Sequence, residues 1–568
     1  MHLQPIYDIA ELAWRKNVTH AVVCPGSRCA PITLGLVRHP RLQVRTFSDE
    51  RSAGFVALGM AQQTKKPVVL VCTSGSATYN FAPAIAEAFF QQVPLVVLTA
   101  DRPTEWVGQR DGQTIYQQGI YQNHVKKSYH LPEETQHPDA RWHFFRQLNE
   151  AFDLAHQSPP GPVHVNIPLR EPLYPAPGET IEYSKDISLA RCVGHSAKPN
   201  SEAVQQWSGA LASFNKILVV AGQISPDAEL ISQLDAFANK YAIPVVGDIT
   251  SNVHTVRNAI LRSDAFLMGL DSEGKTALQP DLLITIGKST LSKNLKVFLR
   301  NHKATQHWHI ETGAELTDPF QSITQRIALE PADFFQSLTV QGSQQKKEHY
   351  LRLWAEHELH VKKTIASFFG KHLGGEFGFV YHLLPHIPKH TALHLANSLS
   401  VRYANWIGLS KDHPLEVFCN RGTSGIDGCT STAVGHCLAS AKMHTLITGD
   451  LAFFYDRNAF WHNYRLPNLR IVLLNNHGGT IFGVIDGPAT LPELSEYFIT
   501  QQHLTARHLA TEFNLGYQHI SRSDNADVIQ QQLQRFFEPG EEARILEVES
   551  DASEAITLFQ QFKESIQL

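Results

Sequence analysis

The sequence predicts an α/β protein of three domains built on parallel sheets flanked by helices. Short apolar runs rich in Val, Ile and Leu recur along its 568 residues, at 21–24, 68–72, 95–98, 163–167, 217–220, 282–286, 446–447 and 471–474. They do not alternate with polar residues, which is how strands buried on both faces read. Longer helix-periodic stretches separate them, and strands alternating with helices imply parallel sheets covered on both sides. A chain of this length suits roughly three or four domains of ~100–200 residues each. Two stretches read as linkers: 168–184, with four prolines, and the polar 341–347, which leads into a charged helix around 350–365. The expected domains are 1–180, 190–340 and 350–568.

Composition narrows the function. Lys plus Arg number 49 and Asp plus Glu 54, a formal charge of -5. That near-balance offers no basic field for nucleic acid and no acidic tail. The seven cysteines (Cys24, Cys29, Cys72, Cys192, Cys419, Cys429 and Cys437) form no C-x-x-C pair. They argue against a disulfide framework and a structural zinc site, and suit a reducing cytosol. The opening MHLQPIYDIAELAWRKN carries Asp8 and Glu11 inside its apolar pattern, so it reads as an amphipathic first helix and not a signal peptide. No apolar run approaches the ~20 residues of a membrane span. A soluble cytoplasmic protein is expected.

Several strands end in glycine-bearing turns that open helices: Cys24-Pro25-Gly26-Ser27-Arg28, 73–77 (TSGSA) and Thr448-Gly449-Asp450. In parallel sheets ligands sit outside the carboxyl ends of strands, where helix N-termini offer free N–H groups to anions. Such turns also occur in any α/β fold. The most specific stretch is GDLAFFYDRNAFWHNYRLPNLRIVLLNNHGG, 449–479. Asp450 and Asn476 lie 26 positions apart, yet at the mouths of two parallel strands. A carboxylate, an amide oxygen and a backbone carbonyl make an all-oxygen set suited to a hard ion. Each residue alone also serves as an ordinary turn or cap residue. Glu50, in TFSDERSAGFVALGMAQ, follows a strand and opens a helix, where the helix dipole alone would stabilise an acid.

Together, Gly-Asp and Asn-Asn at this interval resemble the thiamin-diphosphate signature, with Leu451 where the widespread form has a second glycine. The resemblance implies that Asp450, Asn476 and the Gly478 carbonyl hold Mg²⁺ (or Mn²⁺, since such an oxygen site accepts both) at the cofactor diphosphate beside Gly449. It also implies that Glu50 hydrogen-bonds N1′ of the aminopyrimidine, favouring the tautomer that takes the C2 proton. The domain order resembles the decarboxylase and acetolactate-synthase branch. The middle domain lacks G-x-G-x-x-G after its first strand, so no FAD or NAD is expected.

Finer motifs narrow the resemblance: CPGSRCAPITLGL (24–36), TSGSATYNFAPAIAEA (73–88), ADRPTE (100–105), GPVHVNIPLREPLY (161–174), ANSLSVR (396–402) and NRGTSGIDG (420–428). They resemble the 2-succinyl-5-enolpyruvyl-6-hydroxy-3-cyclohexene-1-carboxylate synthases of menaquinone biosynthesis. Those enzymes decarboxylate 2-oxoglutarate and add the four-carbon carbanion 1,4 to isochorismate. By that pattern Ser27, Arg28, Arg102, Gln113, Lys293, Ser398, Arg402 and Arg421 line the substrate pocket. Ile481, Phe482 and Ile485 form its apolar side, and Ile426 is the wedge that bends the cofactor. Both substrates are dianions, which bidentate guanidinium groups align. Asn294 stands where some members have a second cation after the lysine.

The resemblance further implies self-association, as a dimer or dimer of dimers, with Glu50 of one chain facing Asp450 of another. Three alternatives remain at this point: another thiamin-dependent 2-oxoacid decarboxylase or carboligase, a non-catalytic thiamin-fold binding protein, and a dinucleotide oxidoreductase. Arg28 and Arg421 argue against the first, joint retention of Glu50, Asp450 and Asn476 against the second, and the missing fingerprint against the third.

Overall fold

The computed structural model describes residues 3–566 apart from 191–197, 314, 342–345, 373 and 486. Most of the 341–347 stretch read as a linker, and Cys192, lie outside the described residues. The strands form three six-stranded sheets with helices between them. The first comprises β1 (His20–Val23), β2 (Gln43–Thr46), β3 (Val68–Cys72), β4 (Leu95–Asp101), β5 (Ser128–His130) and β6 (Val163–Pro168). The second has β7 (Ile217–Ala221), β8 (Val245–Gly247), β9 (Ala259–Ile260), β10 (Leu282–Ile286), β11 (Gln306–Ile310) and β12 (Gln325–Ile327). The third has β13 (Ala392–Leu395), β14 (Glu416–Phe418), β15 (His444–Gly449), β16 (Leu469–Asn475), β17 (Gly516–Ile520) and β18 (Arg544–Glu549).

The α/β class expected from the apolar runs is the one observed. Central strands such as β3 (VVLVC) and β4 (LVVLTAD) are buried throughout, whereas the edge strand β2 (QVRT) is not. An edge strand needs no apolar face on both sides, so no apolar run marks it in the sequence. The first sheet runs β2-β1-β3-β4-β6-β5 and the third repeats that order as β14-β13-β15-β16-β18-β17. The second runs β12-β11-β10-β7-β8-β9, the doubly wound order that binds dinucleotides elsewhere. Here the turn after β7 is Gly222-Gln223-Ile224, and Gln223 exchanges backbone hydrogen bonds with Lys288 and Ser289 (both 2.9 Å).

The chain folds into two compact units. One, Met1–Gly194 with Asn420–Lys442 and Ala452–Leu469, holds the first sheet; the other, His195–Cys419 with Met443–Leu451 and Arg470–Leu568, holds the remaining two. In the first unit the opening stretch is the expected amphipathic helix, Gln4–Arg15, burying Ile6, Ile9 and Leu12. The proline-rich 168–184 stretch contains no helix or strand after β6. It lies along the first two helices through Tyr183 Oη to the Gly35 carbonyl (2.7 Å) and the Ser184 N–H to Asp8 (2.8 Å). In the second unit the charged helix spans Glu348–Phe369 and buries Tyr350, Trp354, Val361 and Ile365 along one face. Among the described residues no helix is long and apolar enough to cross a membrane.

Within the first unit the helix Glu50–Thr64 crosses the helix Cys429–Ala439 at two glycines. A Cβ on Gly435 would stand 2.1 Å from the Val56 carbonyl oxygen, and one on Gly59 would stand 2.1 Å from that of Thr432. Backbone cannot yield as a flexible side chain can, so Gly435→Ala is expected to destabilise by about 1–3 kcal/mol or more. Gly209→Ala, in a helix where an added Cβ meets nothing, is expected to stabilise by up to ~1 kcal/mol. Thermal melts of the two variants check this contrast, and equal midpoints would contradict it.

The start of the helix Cys429–Ala439 is held by the buried Asp456. Its carboxylate accepts Ser431 N–H (2.6 Å) and Ser431 Oγ–H (2.7 Å). Burial pushes the Asp456 carboxyl up to about 7, against about 4 in an unfolded chain. Between those values the folded state holds more protons than the unfolded one, so this group's contribution to stability falls as pH rises from about 4 to 7 and then levels. Asn at this position cannot ionise. The stability of Asp456→Asn relative to the parent is therefore expected to rise between pH 5 and pH 8. Melts at the two values check this, and a pH-independent difference would refute it.

Candidate active site

In the first unit, the turns at the carboxyl ends of the parallel strands carry five of the candidate residues. Arg28, in the turn after β1, is buried: Nη1 donates to the Leu169 carbonyl (2.9 Å) and Nη2 to Glu171 (3.3 Å). Ser27 beside it is exposed. Glu50 is the first residue of its helix, capped by Asp49, whose Oδ1 accepts Ser52 N–H (3.2 Å). The residues on either side of Glu50 are tied down. Asp49 Oδ2 accepts Asn458 Nδ2–H (2.7 Å), and Arg51 donates to the Tyr455 carbonyl (2.8 Å) with its guanidinium 4.5 Å above the Tyr455 ring. Glu50 itself is half-buried and accepts Asn80 Nδ2–H (3.3 Å).

Arg102 follows β4 and grips the loop that carries Gln113, through the Gly112 carbonyl (2.9 Å) and Asp111 (3.2 Å). The same loop is held by Gln117, which sequence reasoning missed. Its Oε1 accepts Gly75 N–H (2.9 Å), and its Nε2 donates to the Ala100 carbonyl and Asn166 Oδ1 (both 3.0 Å). Asn166 donates in turn to Asp101 (2.7 Å), whose carboxyl is raised by burial. Gly75, at φ +88, is required here: a Cβ would stand 3.2 Å from Gln113 Cα. Gln113 is therefore exposed on a fixed backbone.

The 420–428 loop carries Arg421 and Ile426, both half-buried. It is anchored on each side of Arg421. Asn420 Nδ2 donates to Thr432 Oγ1 (2.9 Å), while the buried Glu87 accepts Gly422 N–H (2.8 Å), Thr423 N–H (2.6 Å) and Thr423 Oγ–H (2.6 Å). Gln91 Nε2 also donates to Glu87. No local motif singles out Glu87, because its partners come from a distant loop.

The second unit brings Asp450 and the Asn475-Asn476 pair to the mouths of adjacent strands β15 and β16. Asp450 is 2% exposed. Oδ1 accepts Leu451 N–H (2.8 Å) and Oδ2 accepts Gln502 Nε2–H (2.7 Å). Burial raises its carboxyl above the usual range, against these donors and the Gly478 N–H. Leu451 supplies a backbone N–H to this carboxylate, a contact that does not depend on its side chain. Asn476 donates Nδ2–H to the buried Glu376 (2.9 Å) and accepts Gly478 N–H at Oδ1 (3.2 Å). Glu376 also accepts Tyr403 Oη–H (2.6 Å), and burial lifts its carboxyl to about 7. Asn475 donates to Glu547 (2.6 Å). Gly478 cannot be larger, since a Cβ would stand 2.6 Å from the Ile499 side chain.

This donor set is all oxygen, and a cation would relieve the burial of Asp450. Beside it a Cβ on Gly449 would meet nothing within 4 Å, leaving open space at the turn. The Thr480 hydroxyl of the same loop is buried without a hydrogen-bond partner among the described residues. The residues fit a divalent cation with a phosphorylated ligand. Of the other candidates in this unit, Lys293 is exposed at the first position of a helix capped by Ser292. Asn294 donates Nδ2–H to the Asp264 carbonyl (2.9 Å), a tether between helices. Arg402 donates to the carbonyl of Ser398 (2.6 Å), which has φ +74. Ile481 and Phe482 are half-buried in the short helix after the Asn-Asn loop, and Ile485 is exposed.

Comparisons with known proteins place the chain in a family. The sequence profile for the N-terminal TPP-binding domain of thiamine pyrophosphate enzymes matches residues 8–127, and one described as the middle domain of thiamine pyrophosphate matches 195–395. The chain is 45% identical over its whole length to a 2-succinyl-5-enolpyruvyl-6-hydroxy-3-cyclohexene-1-carboxylate synthase of Cytophaga hutchinsonii, covering 99% of that protein. It is 36% identical to the synthase of the same name from Flavobacterium johnsoniae (98% of each chain). The figure is also 36% for that of Bacteroides thetaiotaomicron (94% of this chain, 93% of the other). With the thiamin signature and the anchored arginines in place, these identities over nearly the full length show that the chain belongs to the 2-succinyl-5-enolpyruvyl-6-hydroxy-3-cyclohexene-1-carboxylate synthase family of thiamin-diphosphate-dependent enzymes.

Proposed function

We propose that the protein decarboxylates 2-oxoglutarate and adds the resulting four-carbon unit 1,4 to isochorismate. The products are CO₂ and 2-succinyl-5-enolpyruvyl-6-hydroxy-3-cyclohexene-1-carboxylate, for menaquinone or phylloquinone biosynthesis in the cytoplasm. The observation that carries this reading is the buried Asp450 carboxylate beside Asn476 and Gly478, in a family whose named activity is this synthesis. Asp450, Asn476 and Gly478 would hold Mg²⁺ or Mn²⁺. Residues 1–180 are assigned to the pyrimidine end of the cofactor, 350–568 to its diphosphate end, and 190–340 to a middle domain without a nucleotide role. A dimer, or dimer of dimers, is the working form, with Glu50 of one copy serving the Asp450 site of another.

Thiamin diphosphate, when bound, supplies the nucleophilic carbon and the electron sink for loss of CO₂. Glu50 holds a proton at N1′ of the aminopyrimidine, and the tethers on Asp49 and Arg51 fix its direction. Arg28 and Arg421 pair with substrate carboxylates and steady the charge that develops on isochorismate. Lys293, Ser398, Arg402, Arg102 and Gln113 complete the polar lining with Ser27. Ile426, Ile481, Phe482 and Ile485 form the wedge and apolar wall that keep water out.

The test is isochorismate depletion by purified protein with thiamin diphosphate, Mg²⁺ and 2-oxoglutarate, each omitted in turn. Loss of the diene absorbance only with all four present is expected. Persistence of isochorismate while CO₂ still appears would assign a decarboxylase with another acceptor. In the same assay Glu50→Gln is expected to lose at least ~10²-fold in turnover at an unchanged melting temperature, and near-normal activity would refute its role. Arg421→Ala is expected to raise the KM for isochorismate roughly 10- to 100-fold, the loss of about 1.5–3 kcal/mol of charge-assisted hydrogen bonding. CO₂ release from 2-oxoglutarate alone should hold; an equal fall there would show that Arg421 serves the first substrate.

A further inference from the structure

Gln502 bridges Asp450 and the Asn475–His477 segment yet belongs to no recognisable motif. Its Nε2 donates to Asp450 Oδ2 (2.7 Å) and to Asn475 Oδ1 (3.1 Å). Its Oε1 accepts the Leu504 N–H. Its backbone N–H donates to the His477 carbonyl (3.0 Å). The Leu504 carbonyl closes the ring by accepting Asn475 Nδ2–H (2.9 Å). One half-buried glutamine thus fixes the plane of the carboxylate, the Asn475 amide and the path of the 477–478 backbone.

The consequence is geometric. With Oδ1 bound to Leu451 N–H and Oδ2 to Gln502, the Asp450 carboxylate cannot spin about its Cβ–Cγ bond. A carboxylate offers about four lone-pair sites, so beside the Leu451, Gln502 and Gly478 donors it keeps a position for a cation. Mg²⁺ demands near-octahedral geometry, so a freely rotating carboxylate would have to be ordered when the ion binds. Groups that orient ligands from behind in this way change metal affinity by roughly 10- to 100-fold. Glu376 does the same for the neighbouring amide: it accepts Asn476 Nδ2–H, which leaves Oδ1 facing away from Glu376.

We propose that Gln502 is a positioning residue for the divalent cation, acting through the orientation of Asp450. The proposal rests on the reading of Asp450, Asn476 and Gly478 as the cation ligands. Its test is Mn²⁺ binding to the full-length protein with thiamin diphosphate present, followed by the electron paramagnetic resonance signal of free Mn²⁺. Gln502→Ala, and Gln502→Met of similar length without hydrogen bonds, are both expected to weaken Mn²⁺ binding roughly 10- to 100-fold. Turnover should return when Mg²⁺ is raised, and the melting temperature without metal should stay at the parent's value. A merely structural role would not give rescue by metal. Wild-type Mn²⁺ affinity in Gln502→Met overturns the proposal, whatever Gln502→Ala does. Asp450→Ala run beside them separates the two levels of inference: undiminished Mn²⁺ binding there would overturn the ligand reading itself.

Discussion

A carboxylate withdrawn from water costs several kcal/mol unless donors or a cation meet it, and the second unit is organised around three of them. Asp450, Glu376 and Glu547 are all buried, and each is met by hydrogen-bond donors from separate parts of the chain. Because a carboxylate only accepts, Glu376 and Glu547 take the NH₂ ends of Asn476 and Asn475. The amide oxygens are thereby turned the other way. The orientation of the loop and the placement of Gln502 both depend on satisfying these acids. Burial raises the pKa of both Glu376 and Asp450.

The first unit applies the same constraint to loops. Candidate side chains such as Ser27 and Gln113 are exposed, as groups that meet ligands must be, and loops are mobile unless tied down. Here buried or half-buried polar groups do the tying. Gln117 and Asn166 bind the Gln113 loop to the strand ends, Glu87 binds the turn after Arg421, and Asn458 binds the cap before Glu50. In each case the residue that would meet ligand is flanked by one whose hydrogen bonds leave it few ways to move. Such support behind a site is what fixes its geometry.

Two departures from the family pattern acquire physical meanings in this light. Leu451 meets Asp450 through a backbone N–H that any residue but proline supplies. Asn294, where the resemblance to some members implied a cation, has its amide spent on Asp264. Inner strands such as β3, β4 and β10 were legible as apolar runs, whereas the inner strands β8, β11, β13 and β18 and edge strands such as β2 and β5 were not; edge strands need no apolar residues on their outer faces. Glu50, Asp450 and Asn476 were legible because they sit in short segments of fixed spacing. Glu87, Gln117, Glu376 and Gln502 were not, because each acts on residues contacted only after folding.

The sequence by itself determined the α/β class and the family resemblance, and it offered the candidate residues for cofactor and substrates. These follow from hydrophobic pattern and local spacing, which need no knowledge of distant contacts. Only the tertiary structure decided which buried groups orient those residues. Asn476 and Glu376 lie far apart in the chain, as do Gly422 and Glu87, and only the packing of strands and helices brings their hydrogen-bonding groups within reach.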